Sequence, residues 1–198
     1  MLCAAPPPAA PSDAAALIAK LARPTPASTA YTEVRFVQLL RKPLVLHGQL
    51  DYNGPSRLGK RVEAPYHEMT TIAEGAVEVT REGRPPKHFD LERAPELKAL
   101  LTGFSALLGG DAATLQQFYT MELVENAANW TLTLKPRSAG SSSHLRALVV
   151  TGAGAEPRCF TLQQADGDSS TMLLGALAAA TLPQPPTPAG VAALCTQP

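Results

Sequence analysis

Hydrophobic and polar residues alternate along most of the chain with a period of two, a pattern typical of half-buried β-strands. In Leu44–Asn53, for example, Leu46, Leu50 and Tyr52 share one face, and polar side chains occupy the other. Turns rich in glycine, serine, asparagine or proline, such as the loop Ser138–Ser143, separate the segments. About ten or eleven short antiparallel strands are predicted. They are Thr32–Leu40, Leu44–Asn53, Arg57–Glu63, Glu68–Ala73, Ala76–Arg81, Lys87–Leu91, Met121–Glu125, Asn129–Lys135, Leu145–Thr151, Arg158–Gln164 and Ser169–Leu174.

Three segments have helical periodicity instead. Asp13–Arg23 and Asp111–Tyr119 predict short helices, and Pro95–Leu108 predicts a helix whose leucines and phenylalanine recur three and four residues apart. A sheet of this many strands must curl or close, and amphipathic helices must bury their apolar faces. The predicted fold class is mainly β with α: a curved antiparallel sheet that forms an incomplete, half-open β-barrel covered by short helices.

Length and proline content suggest how the chain is organised. Its 198 residues suffice for one sizeable domain and are few for two. Eight of the 19 prolines cluster near the two ends, in Pro6–Pro11 and Pro183–Pro188. We therefore expect a Pro/Ala-rich N-terminal arm over 1–12, one domain over 13–178 and a Pro-rich C-terminal tail over 179–198, with both ends extended.

The charge balance excludes one class of partner. Lysine and arginine total 17, and aspartate and glutamate also total 17, so the formal net charge is zero. Because no basic block is available to neutralise a phosphate backbone, we expect no nucleic-acid partner. No run of about 18 apolar residues could span a bilayer, so we expect a soluble chain.

The sequence lacks convincing catalytic, cofactor and metal motifs. Gly103–Leu107 begins like a nucleophile elbow, but Leu107 stands where the second glycine is required. Gly152–Gly154 is too short for a dinucleotide-binding fingerprint. The four histidines lie far apart along the chain, and no Cys-x-x-Cys pair is present. We therefore expect no enzyme, no metal and no cofactor.

Two of the three cysteines are candidates for a disulfide. Cys159 lies in a predicted strand, and Cys195 lies near the end of the tail. A bond between them would tie the tail to the domain if the protein is exported, whereas two free thiols are expected in the cytosol. We favour the disulfide, which leaves Cys3 as the free thiol.

Short motifs occur along the chain in an order similar to that of a known family. They are Phe36–Gln38, Gly48–Tyr52, Gly54–Leu58, Ala64–Pro65, Glu74–Val77, Asn129–Pro136, Phe160–Gln164 and Asp168–Ser170. Over Asp13–Leu174 this order and spacing resemble LolA, the periplasmic lipoprotein carrier family. The resemblance implies an incomplete β-barrel closed by helices, with a cavity that holds the acyl chains of lipoproteins during transfer across the periplasm.

The resemblance also implies a location and partners. We expect a periplasmic protein whose export signal has been trimmed, in keeping with the Pro/Ala-rich N-terminus. The expected ligand is a hydrophobic acyl chain, a lipid or a lipoprotein. A transient membrane-associated donor and acceptor would load and unload a monomeric carrier.

Apolar residues at strand and helix spacing are usually plain core, and only the resemblance makes them candidates for the lining of a cavity. On the strands, the candidates are Val34, Phe36, Leu46, Leu50, Tyr52, Leu58, Met69, Ile72, Trp130 and Leu132. The helical residues expected to cover them are Leu100, Leu101, Phe104 and Leu108.

Gly54 departs from the pattern of the family. Carrier members have an arginine just before the proline of this turn, where it helps to hold the helical lid, and glycine cannot make those hydrogen bonds. Arg57 and Arg61 lie nearby in the sequence. The departure suggests a divergent member that handles another lipid or acyl-like ligand, such as an aryl-polyene-type molecule.

Two other functions stay open. An enzyme acting on a hydrophobic substrate in the same half-barrel would use polar residues near the cavity, for which Tyr52, Tyr66, His67 and Glu68 are candidates. A binding or docking module without lipid cargo would need no cavity at all.

Overall fold

Antiparallel strands form one sheet of eleven in the computed structural model, which describes residues 13–93, 95–126, 128–137 and 144–197. The strands are β1 Ala27–Phe36, β2 Leu44–Tyr52, β3 Arg57–Ala64, β4 Glu68–Ala73, β5 Ala76–Arg81, β6 Lys87–Asp90, β7 Tyr119–Glu125, β8 Trp130–Pro136, β9 Leu145–Ala153, β10 Glu156–Gln164 and β11 Ser169–Leu174. Their order in the sheet is β6-β5-β4-β3-β2-β1-β11-β10-β9-β8-β7.

The first and last strands meet at the centre of the sheet. β1 pairs with β2 on one side and with β11 on the other, and each half of the chain continues outward as a meander of hairpins. β6 and β7 are the edges, so the sheet is not closed into a barrel. The predicted class, an incomplete antiparallel barrel-like sheet with short helices, is confirmed.

The described residues form four α-helices: α1 Asp13–Lys20, α2 Pro95–Leu108, α3 Ala112–Phe118 and α4 Pro188–Thr196. α1, α2 and α3 correspond to predicted helices. Asp111 caps α3, because its carboxylate accepts a hydrogen bond from the Thr114 backbone N–H at 2.9 Å.

The C-terminal tail was predicted to be extended, but it contains the helix α4. Thr187 caps it by accepting from the Gly190 N–H at 3.1 Å, and Pro188 occupies the first turn, where its missing N–H is harmless.

The larger core cluster lies on one face of the sheet, which we call the inner face. There Leu17, Leu107 and Leu115 of the first three helices pack against buried strand residues such as Leu46 and Leu132. These side chains come from the helices and from both halves of the sheet. Each one that is fully buried stabilises the folded state by about 1.5–3 kcal/mol. The inner face therefore holds the helices in place chiefly by apolar contact.

A smaller core cluster lies on the opposite, outer face. Val34 and Leu173 of the two central strands pack there against Val191 of α4. A disulfide joins Cys159 to Cys195, with the Cα atoms 5.8 Å apart, which confirms the predicted pairing. The C-terminal segment is thus packed onto the sheet and covalently tied to it.

Strand β1 begins and ends earlier than the predicted strand Thr32–Leu40. Its residues from Ala27 onward pair with β2, and Leu39 and Leu40 lie instead in the turn that follows, where the Leu40 N–H donates to the Val37 carbonyl at 2.9 Å. The predicted arm over 1–12, with Cys3, and the predicted loop Ser138–Ser143 lie outside the described residues.

Candidate functional site

The inner face is apolar where α2 lies across it. Phe104 of α2 contacts Phe160 of β10 edge to face, with ring centroids 4.8 Å apart. Gly103 lets the helix approach β7, because a Cβ at this position would come within 2.7 Å of Cε2 of Tyr119. α2 therefore lies directly on the sheet and covers its apolar surface.

Strand register divides the predicted cavity residues between the two faces. Cross-strand partners share a face, so the pairs Leu50–Lys60, Tyr52–Leu58, Leu58–Ile72 and Leu132–Val150 all lie on the inner face with the buried Leu46 and Trp130. The register thus brings together seven of the candidates named on the strands. They are Leu46, Leu50, Tyr52, Leu58, Ile72, Trp130 and Leu132.

Val34, Phe36 and Met69 lie on the outer face, contrary to the prediction. Val34 and Phe36 contact the cluster beneath α4. Met69 pairs with Arg61 on β3, out of register with the inward-facing side chains, and is 36% exposed. For Val34 and Phe36 the reason is the alternation of side chains along β1. Tyr31, Glu33 and Arg35 face inward, so the residues between them face outward.

The apolar part of the inner face is filled by the protein itself. Leu46 and Leu132 are fully buried beneath the helices, whereas Leu100, Leu101, Phe104 and Leu108 of α2 are only partly buried. A ligand could reach the buried strand residues only if α2 moved away from them. In this structure the apolar part of the inner face is closed.

Two clefts open at the ends of the sheet. One of about 420 Å³ lies between α1 and neighbouring turns, where Leu17 and Trp130 form part of its wall. The other, of about 400 Å³, lies beside β3, β4 and β5 and is lined in part by Val62, Glu68 and Arg81. The first borders the inner face, whereas the second also extends to Arg61 and Met69 on the outer face.

A cluster of charged side chains lies on the inner face beside the apolar surface. The Glu33 carboxylate is only 5% exposed and accepts hydrogen bonds from Arg35 Nε at 2.8 Å, from Arg35 Nη2 at 3.1 Å and from Lys60 Nζ at 2.5 Å. Arg35 is bidentate, the strongest geometry for an arginine with a carboxylate. We call Tyr31, Glu33, Arg35 and Lys60 the inner polar cluster, because all four share this face of β1 and β3.

The environment of this cluster fixes its protonation. Burial on its own would raise the pKa of Glu33, but the hydrogen bond from Arg35 and the charge of Lys60 outweigh it and lower the pKa. Burial, together with the Glu33 carboxylate, raises the pKa of Tyr31 far above its usual range. Glu33 is therefore ionised at neutral pH, and the Tyr31 hydroxyl keeps its proton.

Further polar groups line the open side of the same face. The Arg81 guanidinium lies 3.7 Å from the centre of the Tyr66 ring, and Arg81 Nη1 lies 3.9 Å from a carboxylate oxygen of Glu68. His67 is exposed at the end of the sheet. Tyr52 lies near the start of β3, whereas Tyr66, His67 and Glu68 follow its end. The four polar residues considered for an enzyme therefore do not meet at one point. Among the described residues, no group of three or more histidine, cysteine and acidic side chains could hold a metal ion.

The sequence over nearly the whole chain matches one family. Residues 4–197 match the family described as outer membrane lipoprotein carrier protein LolA-like. The chain belongs to this LolA-like family. No curated protein matches the sequence significantly. Among the described residues, no helix is both long enough and apolar enough to cross a bilayer.

Solved structures with some likeness to this LolA-like protein also exist. A LolA superfamily protein from Nitrosomonas europaea is 11% identical, with a TM-score of 0.48 over 89% of this chain and 96% of its own. LprF from Mycobacterium bovis is 11% identical, with a TM-score of 0.35 over 88% and 98%. A putative outer membrane lipoprotein-sorting protein domain from Vibrio parahaemolyticus is 9% identical, with a TM-score of 0.38 over 75% and 83%. The family assignment rests on the sequence match alone.

Gly54 occupies a turn of this LolA-like chain that requires glycine. Its φ is +118°, and no atom lies within 4 Å of an added Cβ, so backbone conformation and not space restricts the position. Arg57 bonds Glu74, and Arg61 bonds Gln49, on the outer side of β3. Neither arginine therefore reaches the inner face, where Arg35 and Lys60 are the cations in contact with Glu33.

Sequence reasoning missed the inner polar cluster. One signal was available: Lys60 alternates with Leu58 and Val62, which places it on the face assigned to the cavity. Because Val34 and Phe36 were predicted to face the cavity, the alternation of this strand placed Glu33 and Arg35 on its opposite face.

Proposed function

We propose that this LolA-like protein is a carrier that binds the acyl part of a lipid or lipoprotein on the inner face of its sheet. The observation that carries the proposal is the apolar inner face itself, covered on one half by α2, whose four predicted lid residues are only partly buried. Burial of an acyl chain there would stabilise the complex by about 0.8 kcal/mol per CH₂, before the cost of ordering the ligand.

Binding requires the helix to move. In the closed form, Phe104 of α2 packs against Phe160, and an acyl chain would replace this contact with one of similar chemistry. Because the apolar contacts of the ligand would replace those of the helix, we expect ligand binding to offset most of the free-energy cost of opening. α2 is thus the proposed lid.

Family membership supports the remaining parts of the proposal. We infer a periplasmic location, a membrane-associated donor and acceptor, a monomeric carrier and no catalytic step. The cargo is the acyl chain of a lipoprotein or of a related lipid.

The test combines cargo identification with a lid variant. Native mass spectrometry of protein purified from its own host should detect a bound lipid that organic solvent extracts. Phe104→Asp should abolish uptake of a fluorescent fatty acid, because it places a charge in the apolar contact between lid and sheet. Phe118→Asp is the matched control, since Phe118 is a helical phenylalanine that is already 39% exposed.

Two results would contradict the carrier. Protein that never holds lipid and takes up no fatty acid supports a docking module without cargo. Loss of cooperative unfolding in Phe104→Asp would assign Phe104 to the core and remove the evidence for a lid.

A further inference from the structure

We propose that the inner polar cluster is a binding site for an acidic head group, a carboxylate or a phosphate, so that the preferred ligand is an acidic single-chain amphiphile. This inference rests on the proposed carrier function and names the ligand class. The head group would contact the N–H groups of Arg35 and Lys60 that Glu33 leaves free, and the acyl chain would extend beneath α2.

The charges in the cluster do not balance. Glu33 contributes one negative charge, and Arg35 and Lys60 each contribute one positive charge, all within hydrogen-bond distance of the same carboxylate. Ionised groups in a largely apolar interior are costly unless each is paired. Glu68 lies on the same face, but Arg81 Nη1 lies 3.9 Å from its carboxylate, so these five side chains together still carry one positive charge without a matching anion.

The two cations remain accessible from the open side of the sheet. The Arg35 side chain is 37% exposed and the Lys60 side chain is 25% exposed, whereas Glu33 between them is 5% exposed. Arginine and lysine both have more donors than Glu33 uses. An incoming oxyanion would reach their remaining N–H groups without displacing Glu33.

Tyr31 provides independent evidence for a ligand. Its side chain is only 1% exposed, and its hydroxyl has no hydrogen-bond partner among the described residues. A buried hydroxyl without a partner costs about 1–3 kcal/mol, so a native structure usually provides an acceptor. The Lys60 ammonium lies 5.2 Å from the centre of the Tyr31 ring, and the Glu33 carboxylate is close enough to the Tyr31 hydroxyl to raise its pKa.

The surroundings of the cluster suit an amphiphile more than a small polar anion. Glu33 stands opposite Leu46 on β2 and opposite Met172 on β11, and Lys60 stands opposite Leu50. A head group held by Lys60 would thus lie next to the apolar surface that continues under the lid. An inorganic anion would gain nothing from that surface.

The experiment measures the affinity of the full chain for three matched ligands by isothermal titration calorimetry. Dodecanol tests the acyl chain alone, dodecanoate adds a carboxylate, and dodecyl phosphate adds a phosphate. We expect both acids to bind at least about tenfold more tightly than dodecanol, which corresponds to about one charge-assisted hydrogen bond. The order of the two acids identifies which head group the site prefers.

Two variants locate the effect. Lys60→Met should reduce the affinity for the acids about tenfold and leave that for dodecanol unchanged. Arg61→Met is the matched control, because it removes one cation from the next residue of the same strand, on the outer face, and should change neither affinity. Tyr31→Phe removes only the unpartnered hydroxyl, so it should weaken binding of the acids about threefold or more without lowering stability.

The outcomes separate this inference from the carrier proposal. Equal affinity for dodecanol and the two acids, or equal effects of Lys60→Met and Arg61→Met, overturns the head-group site and leaves the carrier intact. Absence of binding for all three ligands overturns both. A stability loss in Tyr31→Phe with unchanged ligand preference would assign the cluster a purely structural role.

Discussion

Single residues of β1 determine the chemistry of both faces of the sheet. Glu33 and Arg35 point inward, and Val34 between them points into the cluster beneath α4. A strand is normally apolar toward the core and polar toward water, but β1 is covered on both faces. Glu33 is therefore buried with its contacts to Arg35 and Lys60, and buried paired charges influence stability and binding most strongly.

Stability should depend on pH through Glu33. Its native pKa lies below the ordinary value of 4.5, so the folded state loses stability as pH falls through the native pKa, and the full contribution is present above the unfolded value. At neutral pH, Glu33→Gln should lower the free energy of unfolding by about 3 kcal/mol, because two cations lose their partner. The deficit relative to wild type should shrink on acidification to about pH 3.

Urea unfolding at several pH values measures this prediction. Glu122→Gln is the control, since its pairing with Lys135 is exposed and contributes little. A deficit that is the same at every pH would mean that Glu33 acts through packing and not through its charge.

A second residue-level prediction concerns Gly54. At Gly54 and at Gly154 an added Cβ meets no atom within 4 Å, but φ is +118° at Gly54 and +55° at Gly154. Only the latter lies near the left-handed region that asparagine tolerates. Gly54→Asn should cost about 1–3 kcal/mol of stability, and Gly154→Asn should cost less. Thermal unfolding of the two variants compares them, and equal losses would contradict the backbone argument.

At the level of elements, α4 and the disulfide together hold the C-terminal segment. The disulfide joins residues 36 positions apart in the sequence. By restricting the unfolded chain, a disulfide that closes a loop of this length stabilises the folded state by about 4 kcal/mol. Val191 of α4 is fully buried beside Cys195. Removal of the bond therefore frees an element that covers the outer face of β1 and β11.

Thiol counting and unfolding test this attachment. Under denaturing, non-reducing conditions one thiol should react, that of Cys3. The paired variant Cys159→Ala with Cys195→Ala should be destabilised by up to about 4 kcal/mol while fatty-acid uptake persists, because the outer face is remote from the proposed ligand. Three reactive thiols would contradict the disulfide, and loss of uptake in a folded variant would contradict the separation of the two faces.

Most elements could be predicted from the sequence because their signals are local. The amphipathic stripe of α2, the Asp111 cap and the turns between the β-strands each depend on residues close together in the chain. The facing of β1 could not be predicted, because it depends on α4, which lies far away in the sequence. The inner polar cluster depends on the same orientation of β1, so the apolar surface could be predicted in part, whereas the inward position of Glu33 and Arg35 could not.

At the scale of the whole molecule, the sheet and the lid differ in how they are held. β1 and β11 have neighbours on both sides and core on both faces, whereas α2 covers one face and ends at Gly109 and Gly110. Sub-global opening draws on the elements with the fewest buried contacts. The central strands should therefore open only when the whole domain unfolds, and the lid should open while the sheet stays intact.

Native-state hydrogen exchange measures this difference. Amides of α2 should exchange with a lower opening free energy than those of β1. Gly103→Ala should accelerate exchange in α2 by about tenfold, or about 1.4 kcal/mol, because its methyl group would be forced against the Tyr119 ring, although alanine itself favours the helix. Lys98→Ala, at an exposed position of the same helix, is the control. The contrary outcome is that the amides of α2 show the same opening free energy as those of β1. In that case the inner face becomes exposed only when the whole domain unfolds, and an acyl ligand has no route to it.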